Sequence, residues 1–301
     1  MPFATLIAGP TASGKSALAL ALAERQGGVV VNADSMQVYS DLAVLSARPA
    51  PEEAARVPHA LYGFVPAGEE FSVGRWLEAI APLVRAARAG GAPLVIVGGT
   101  GLYFRALVEG LVPTPAIALA IREEWRARAG AGHDLHAELA SRDPARAAQL
   151  DPADTPRLLR AIELHAATGR AYSDWLAENP GQPVLATGEW SGFFLDPPRA
   201  PLHAAIDARF RAMIVAGALD EVRRLVAWQP ALPRNLGIMK AHGVPHLAEH
   251  LAGRLDLEGA ILRGQADTRA YARRQVIFAR RYLAPPGWRW LETAQAALAG
   301  G

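Results

Sequence analysis

Cysteine is absent from the 301 residues, which excludes disulfides and cysteine-based zinc sites and fits a cytoplasmic protein. No apolar run reaches 18 residues, so no membrane span and no membrane partner is expected. The first residues run straight into a strand-like segment without a basic leader or cleavage site, so no signal peptide is expected. None of the eight histidines stands in an H-E-x-x-H or comparable pair. Net charge is also small. A formal +2 supplies no overall electrostatic argument for a nucleic-acid partner. Lysine is nearly missing: of 31 basic residues, only Lys15 and Lys240 are not arginine. A chain that otherwise avoids lysine has kept two, and both positions invite a specific explanation.

Lys15 has one at once. Residues 3–8 are strand-like and break into Gly9-Pro-Thr-Ala-Ser-Gly-Lys-Ser16, a full match to G-x-x-x-x-G-K-[ST] in its strand-then-helix context. The pattern cradles a polyphosphate. Gly9 and Gly14 permit the tight turn, and the N–H groups of Pro10's successors Thr11, Ala12 and Ser13 face the anion. Lys15 supplies a point charge, the Ser16 hydroxyl is placed to help hold Mg²⁺, and the helix over 16–26 points its positive end at the phosphate.

Apolar runs at 3–8, 29–31, 94–97 and 193–195, with another strand at 288–291, alternate with helical stretches. That rhythm predicts an α/β fold with a doubly wound parallel sheet. The segment 114–182 contains no strand-like run. Pro115, Asp143-Pro144, Asp151-Pro152 and Thr155-Pro156 read as helix starts and Thr168-Gly169 as a stop. The expectation is a phosphate-loop core from 1–113 and 183–301 with an all-helical insertion over 114–182. Two further helices are expected over 201–228 and 263–282.

Two segments follow core strands and so belong at the ligand edge of the sheet. Asn32-Ala-Asp34-Ser-Met-Gln-Val-Tyr39 offers a carboxylate, which could equally be a turn or cap residue. Val97-Gly-Gly-Thr-Gly-Leu-Tyr103 offers the Thr100 hydroxyl and glycines that would let a ligand approach, or simply a capped turn. No Asp directly ends the 94–97 strand to hold Mg²⁺ as in common nucleotidases. Asp196 ends another strand, but two prolines follow it and an Asp-Pro turn is its simpler role. The loop therefore suits a diphosphate that departs, with no ATP involved. From Arg263 to Arg289 there are seven arginines against the single acid Asp267, which suits a phosphate-rich partner or a solvated helix face.

These three segments resemble the tRNA dimethylallyltransferases (tRNA isopentenyltransferases). Further matches follow in the family's order: Arg157-Leu-Leu-Arg-Ala-Ile-Glu163, Thr168-Gly169, Arg209 with Met213, Leu236-Gly-Ile-Met-Lys240, and Thr268-Arg-Ala-Tyr-Ala-Arg-Arg-Gln275. The resemblance covers nearly the whole chain. It implies transfer of a dimethylallyl group from dimethylallyl diphosphate to N6 of adenosine 37 in tRNA, with Mg²⁺ as cofactor and a monomer as the acting species. Asp34 would take the N6 proton, Thr100 would orient N6, and Lys15 and Arg209 would stabilise the leaving diphosphate. It further implies tRNA anticodon stem-loop contacts at Asp34, Ser35, Met36, Gln37, Thr100 and Arg122. The same holds for Pro156, Arg157, Leu158, Leu159 and Arg160, and for Asn235, Leu236, Gly237, Ile238, Met239 and Lys240. A last group comprises Arg273, Arg274, Gln275, Val276, Ile277, Phe278, Ala279 and Arg280. On a helical wheel Arg269, Arg273 and Arg280 fall within about 40° of one another, while Tyr271, Phe278 and Tyr282 form a separate, core-like stripe.

The sequence departs from the family pattern in places. Ser40-Asp-Leu-Ala-Val-Leu-Ser-Ala-Arg-Pro49 replaces a stretch that usually carries Arg-Gly-Met-Asp-Ile-Gly-Thr-Ala-Lys-Pro. Pro156 stands where Gln is common, and Met239 and Ala241 replace a usual Tyr and Glu or Gln. Three other readings use the same residues: a prenyltransferase for free adenine nucleotides, a phosphate-loop small-molecule kinase, and a non-enzymatic RNA-binding module.

Overall fold

A computed structural model describes residues 2–284 and 286–299. Six strands form one sheet: β1 (Ala4–Ala8), β2 (Val29–Asn32), β3 (His59–Ala60), β4 (Leu94–Gly98), β5 (Trp190–Leu195) and β6 (Trp288–Leu291). The spatial order is β3-β2-β4-β1-β5-β6, and every pairing is parallel. The strands read as unbroken apolar runs because both faces are covered. Leu6, Val31, Leu94, Ile96 and Phe194 pack with Trp76, Ile80, Phe104 and Ala279 on one face. Their neighbours Ile7, Val30, Val95, Val97 and Leu195 pack with Leu18, Leu22 and Ala23 on the other. Alternation along each strand thus produces the doubly wound arrangement. With all strands parallel, the segments after β1, β2, β4 and β5 leave from one edge.

The chain divides into two compact units, one holding the residues before 109 and after 183, the other spanning Glu109–Pro183. The second is helical, with helices Leu119–Gly130, Leu135–Arg142, Pro144–Ala147, Thr155–Thr168 and Tyr172–Glu178. Trp125, Leu135, Leu139, Leu158 and Ile162 form its core. Its caps are local. Asp134 accepts from His136 N and Ala137 N at 3.0 Å each, and Gly169 closes the Thr155–Thr168 helix at φ 71°.

Several expected boundaries move. The helix expected over 201–228 is two, Arg199–Val215 and Ala218–Val226, separated by Gly217 at φ 100°, a left-handed position that ends a helix. The helix expected over 263–282 begins earlier, at Leu257, because the Asp256 side chain caps Gly259 N. In the helical unit the first helix starts at Leu119, not at Pro115. Asp151-Pro152 opens a turn stabilised by Asp151 accepting from Ala153 N, and the helix follows only from Thr155. Strand β3, two residues long, carries no readable pattern in the sequence.

Candidate active site

The phosphate loop is wound by two left-handed residues, Ala12 at φ 62° and Gly14 at φ 85°. Ala12 is the costlier, since a Cβ disfavours this region, and such strain recurs where a ligand fixes the backbone. Lys15 Nζ donates to Pro10 O at 3.1 Å, folding back over the loop. Ser13 Oγ is buried with no hydrogen-bond partner among the described residues, and a phosphate oxygen would satisfy it. Burial lowers the Lys15 ammonium to about 8; nearby Asp34 opposes the shift and Arg209 adds to it. Arg209, half-buried on the Arg199–Val215 helix, is itself held down by burial.

Asp34 lies just past β2, where its backbone is fixed by Asn32. Asp34 N donates to Asn32 Oδ1 at 2.8 Å, and Asn32 Nδ2 donates to Asp34 O at 2.9 Å. One carboxylate oxygen accepts from Met36 N at 2.9 Å, leaving the other to serve elsewhere. Thr100 acts one layer out. Its hydroxyl accepts from Ser35 N at 2.9 Å and donates to Ser35 Oγ at 3.3 Å, tying the Asp34 segment to the end of β4.

The glycines at the end of β4 could admit a ligand or simply form a turn; the structure uses them for its own packing. A side-chain carbon at Gly98 would stand 2.1 Å from the Ala33 carbonyl. At Gly99 it would stand 2.2 Å from Gln275 Nε2, and at Gly101 2.4 Å from the Phe278 ring. Close approach is required, but by β2's continuation and the Leu257–Tyr282 helix. Gln275 exploits it: Nε2 donates to Gly99 O at 2.8 Å while Oε1 accepts from Thr11 N at 3.1 Å. One buried amide therefore spans the phosphate loop and the β4 turn.

Asp34, Ser35, Met36, Thr11 and Arg209 converge on a cavity of about 330 Å³ in the core unit. Leu45, Ser46, Ala47, Ile206, Phe210, Met213, Lys240, Ala241, His242, Thr268, Tyr271 and Arg274 complete its lining. The volume falls at the low end for small-ligand pockets. The wall mixes apolar and basic groups with a single carboxylate, a combination that can hold an apolar chain, an anion and one proton acceptor together.

Sequence reasoning missed part of this wall. Tyr271 was grouped with a core-like stripe, yet its ring lines the cavity, 4.6 Å from the His242 ring. Burial raises the Tyr271 hydroxyl, with Asp34 adding to the shift. Burial, then Arg274, lowers His242, so its ring is neutral at neutral pH. A seven-residue spacing from Tyr271 to Phe278 looks like one helix face, but only the second member packs inward, over Gly101. Phe278 pairs with Tyr282 at 4.6 Å.

The residues implied for tRNA separate by exposure. On the Leu257–Tyr282 helix, Arg273, Arg274, Ile277 and Arg280 are exposed and Val276 and Phe278 half-buried, whereas Gln275 and Ala279 are buried. The latter two cannot present side chains to a partner, since Gln275 is engaged internally and Ala279 packs in the sheet core. The wheel's arginine stripe is likewise divided. Arg269 pairs with Asp207, and Arg280 stands 3.5 Å from Asp196, whose N–H continues the ladder to Leu291 O. From 235 to 240, Asn235 and Lys240 are exposed and Gly237 and Met239 half-buried; Leu236 and Ile238 are core residues. Gln37 is half-buried, with its amide committed to Ser46 O and Ala47 O.

Within the helical unit, Pro156 and Arg157 are exposed and Leu159 and Arg160 half-buried at the start of the Thr155–Thr168 helix, with Leu158 in the core. Arg157 pairs with Asp154 at 3.1 Å, and Arg160 donates to Thr114 Oγ1. Arg122 is half-buried, and its Nε has no hydrogen-bond partner among the described residues. Burial raises the Glu163 carboxyl, while Arg126, Arg122 and Arg160 pull it back.

Comparison with known proteins agrees along the whole chain. The family described as IPP transferase matches residues 37–282, and that described as isopentenyl transferase matches residues 3–59. A "tRNA dimethylallyltransferase" of Methylocella silvestris is 52% identical over 297 residues, covering 97% of this chain and 96% of the relative. A second, from a Methylobacterium species, is 53% identical over 302 residues, covering 99% and 97%. Among solved structures, a eukaryotic dimethylallyltransferase acting on tRNA aligns with TM-score 0.82 and 27% identity, covering 99% of this chain and 75% of that one. The Staphylococcus epidermidis tRNA isopentenylpyrophosphate transferase aligns with TM-score 0.66 and 25% identity, covering 99% and 97%. The loop, the carboxylate after β2 and the family profile all fall on one continuous chain, and this protein belongs to the IPP transferase family.

Proposed function

We propose that the chain transfers a dimethylallyl group from dimethylallyl diphosphate to N6 of adenosine 37 in tRNA, releasing diphosphate. The observation that carries this reading is the shared cavity: the Asp34 carboxylate, the phosphate-loop residue Thr11 and Arg209 line one chamber. The diphosphate would lie on the N–H groups of residues 9–16, against Lys15 and the buried Ser13 hydroxyl. The adenine must leave its stack to enter, at a cost of a few kcal/mol; Tyr271, His242 and Met213 offer aromatic and soft apolar surface in return.

Adenine N6 is a weak nucleophile because its lone pair is delocalised into the ring. As N6 bonds to the first carbon of the allyl group, the carbon–oxygen bond breaks and its electron pair leaves with diphosphate. The N6 proton passes to the uncommitted Asp34 oxygen. Lys15, Arg209 and the loop N–H groups stabilise the charge growing on the departing oxygen. Thr100 holds Ser35, and through it the Asp34 segment, in register.

Mg²⁺ fits the residues present. No cluster of three or more His, Cys, Asp or Glu side chains exists among the described residues. This ion does not need one, since it commonly takes substrate phosphates, water and one or two protein oxygens. The exposed Ser16 hydroxyl at the start of the Lys15–Gln26 helix would hold it. Bound there, it would neutralise diphosphate charge.

Exposed Arg273, Arg274, Arg280 and Lys240 in the core unit, and Arg122, Arg157 and Arg160 in the helical unit, would take backbone phosphates of the anticodon stem-loop. The enzyme would act as a cytoplasmic monomer; no helix among the described residues is long and apolar enough to cross a membrane. Incubating unmodified tRNA with labelled dimethylallyl diphosphate and Mg²⁺, then digesting to nucleosides, tests the reading. Label in N6-dimethylallyladenosine is expected. Label that enters AMP in preference to tRNA, or no adenosine at all, rejects it.

A further inference from the structure

The stretch that departs most from the family's pattern, residues 40–48, forms a strap whose last part, Leu45, Ser46 and Ala47, lines the cavity beside Asp34, Ser35 and Met36. Its side chains there are small or apolar, so its contribution to the cavity is the path of its backbone. That path is fastened from outside. Glu221, on the Ala218–Val226 helix, is 4% exposed. One of its oxygens accepts from Ala43 N and Val44 N at 2.8 Å each, and the other accepts from Leu45 N at 3.0 Å.

From these contacts we infer that Glu221 is a positioning residue that sets the acceptor-side wall of the cavity by clamping the backbone of residues 43–45. The inference rests on the reading of the cavity as a prenyl-transfer site.

A carboxylate is the right group for the task. Three consecutive N–H groups converge on it from one strand of backbone, and only a group with acceptors on both oxygens answers all three. Glu221 is buried, and these three N–H groups give both of its oxygens hydrogen-bond partners. An amide of the same shape would turn an NH₂ toward at least one donor. The far end of the strap is tied too. Gln37 Nε2 donates to Ser46 O and Ala47 O at 2.9 and 3.0 Å, and Ser46 Oγ donates to Leu42 O at 2.6 Å. Ala47 is held at φ 52°, a left-handed conformation that a Cβ disfavours.

The clamp serves the acceptor side because of what it is joined to. The strap is hydrogen-bonded to Gln37, three residues from Asp34. The phosphate loop has separate fastenings, Gln275 to Thr11 and Lys15 to Pro10. Loosening the strap should therefore disturb the base and leave the diphosphate.

The test combines kinetics with amide hydrogen exchange on Glu221→Gln and Glu221→Asp. In Glu221→Gln, exchange at Ala43, Val44 and Leu45 is expected to quicken at least about tenfold while the phosphate loop is unchanged. KM for tRNA should rise about fivefold or more, with kcat and the donor KM within about twofold, the pattern of lost positioning of one substrate. Glu221→Asp keeps both acceptor oxygens on a side chain one methylene shorter and should raise the tRNA KM by a smaller factor. Unchanged tRNA KM in both variants overturns the inference. So does a joint fall of kcat and worsening of both KM values together with protection lost across the whole core unit, which marks a merely structural glutamate. A wild-type enzyme that places no label in tRNA would instead reject the functional reading, and the exchange data would still report whether the clamp exists.

Discussion

The core and helical units handle charge in opposite ways. In the core unit the decisive polar groups point inward and are individually fastened: Lys15 to Pro10 O, Asp34 to Met36 N, Gln275 to both Thr11 and Gly99. In the helical unit the arginines lie mostly at the surface beside local partners, as in Arg128 with Glu124, Arg142 with Glu138 and Arg170 with Glu178. Arg128 and Arg142 also stack over Trp125, at 4.5 and 5.1 Å. Proton transfer and diphosphate departure demand fixed geometry and low solvation, whereas contact with a phosphate backbone tolerates mobile, screened charges. Substitutions at the fastened core groups Lys15 and Asp34 should therefore strike the chemical step, and those at the helical unit's surface arginines only binding.

The sharpest way to break that contrast is Asp34→Ala. Single-turnover transfer should fall by about 10²–10⁴, the usual worth of a positioned base, with tRNA Kd within about threefold of wild type. A large loss of tRNA affinity with normal turnover would erase the distinction between the units. Lys15→Ala comes next: kcat/KM for dimethylallyl diphosphate should drop by about 10²–10³, as when an oxyanion stabiliser is removed. Titration of donor binding sharpens the point. Burial lowers Lys15 to about 8 in the free enzyme, so the ammonium is present below that pH and is lost above it. Donor KM should accordingly be low up to about pH 8 and climb beyond. In Asp34→Asn, which removes the charge that opposes the shift, the climb should begin at lower pH. The smallest effect is expected from Arg157→Ala, an exposed residue already paired with Asp154. The tRNA Kd should weaken a few-fold, and the slope of log Kd against log salt should fall by about one, with kcat unchanged.

The sheet could be read from the sequence because parallel strands covered on both faces leave continuous apolar runs, as at 94–97. Strand β3 could not: His59–Ala60 is too short for any pattern and is held by its pairing with Val30 and Val31. The break at Gly217 was hidden because a lone glycine inside a helical pattern is often tolerated, and the backbone angle reveals the stop. At the site, the phosphate loop announces itself by spacing. The β4 glycines did not disclose their purpose, since close approach by a ligand and close approach by Gln275 or Phe278 demand the same missing side chain. Tyr271 was obscured by helical periodicity, which ranks faces by hydrophobicity and cannot tell a protein core from a lined cavity. Glu221 carries no motif whatever; three backbone donors from a segment some 176 residues away give it meaning.

The central claim is spatial: the base and the diphosphate meet in the cavity between Asp34 and the phosphate loop. A crystal structure of the enzyme with diphosphate and an unmodified anticodon stem-loop measures it directly. The account predicts diphosphate on residues 9–16 and the everted adenine with N6 within hydrogen-bonding distance of the Asp34 carboxylate. Adenine N6 held by another group, or a base left outside the cavity with diphosphate in place, would contradict it.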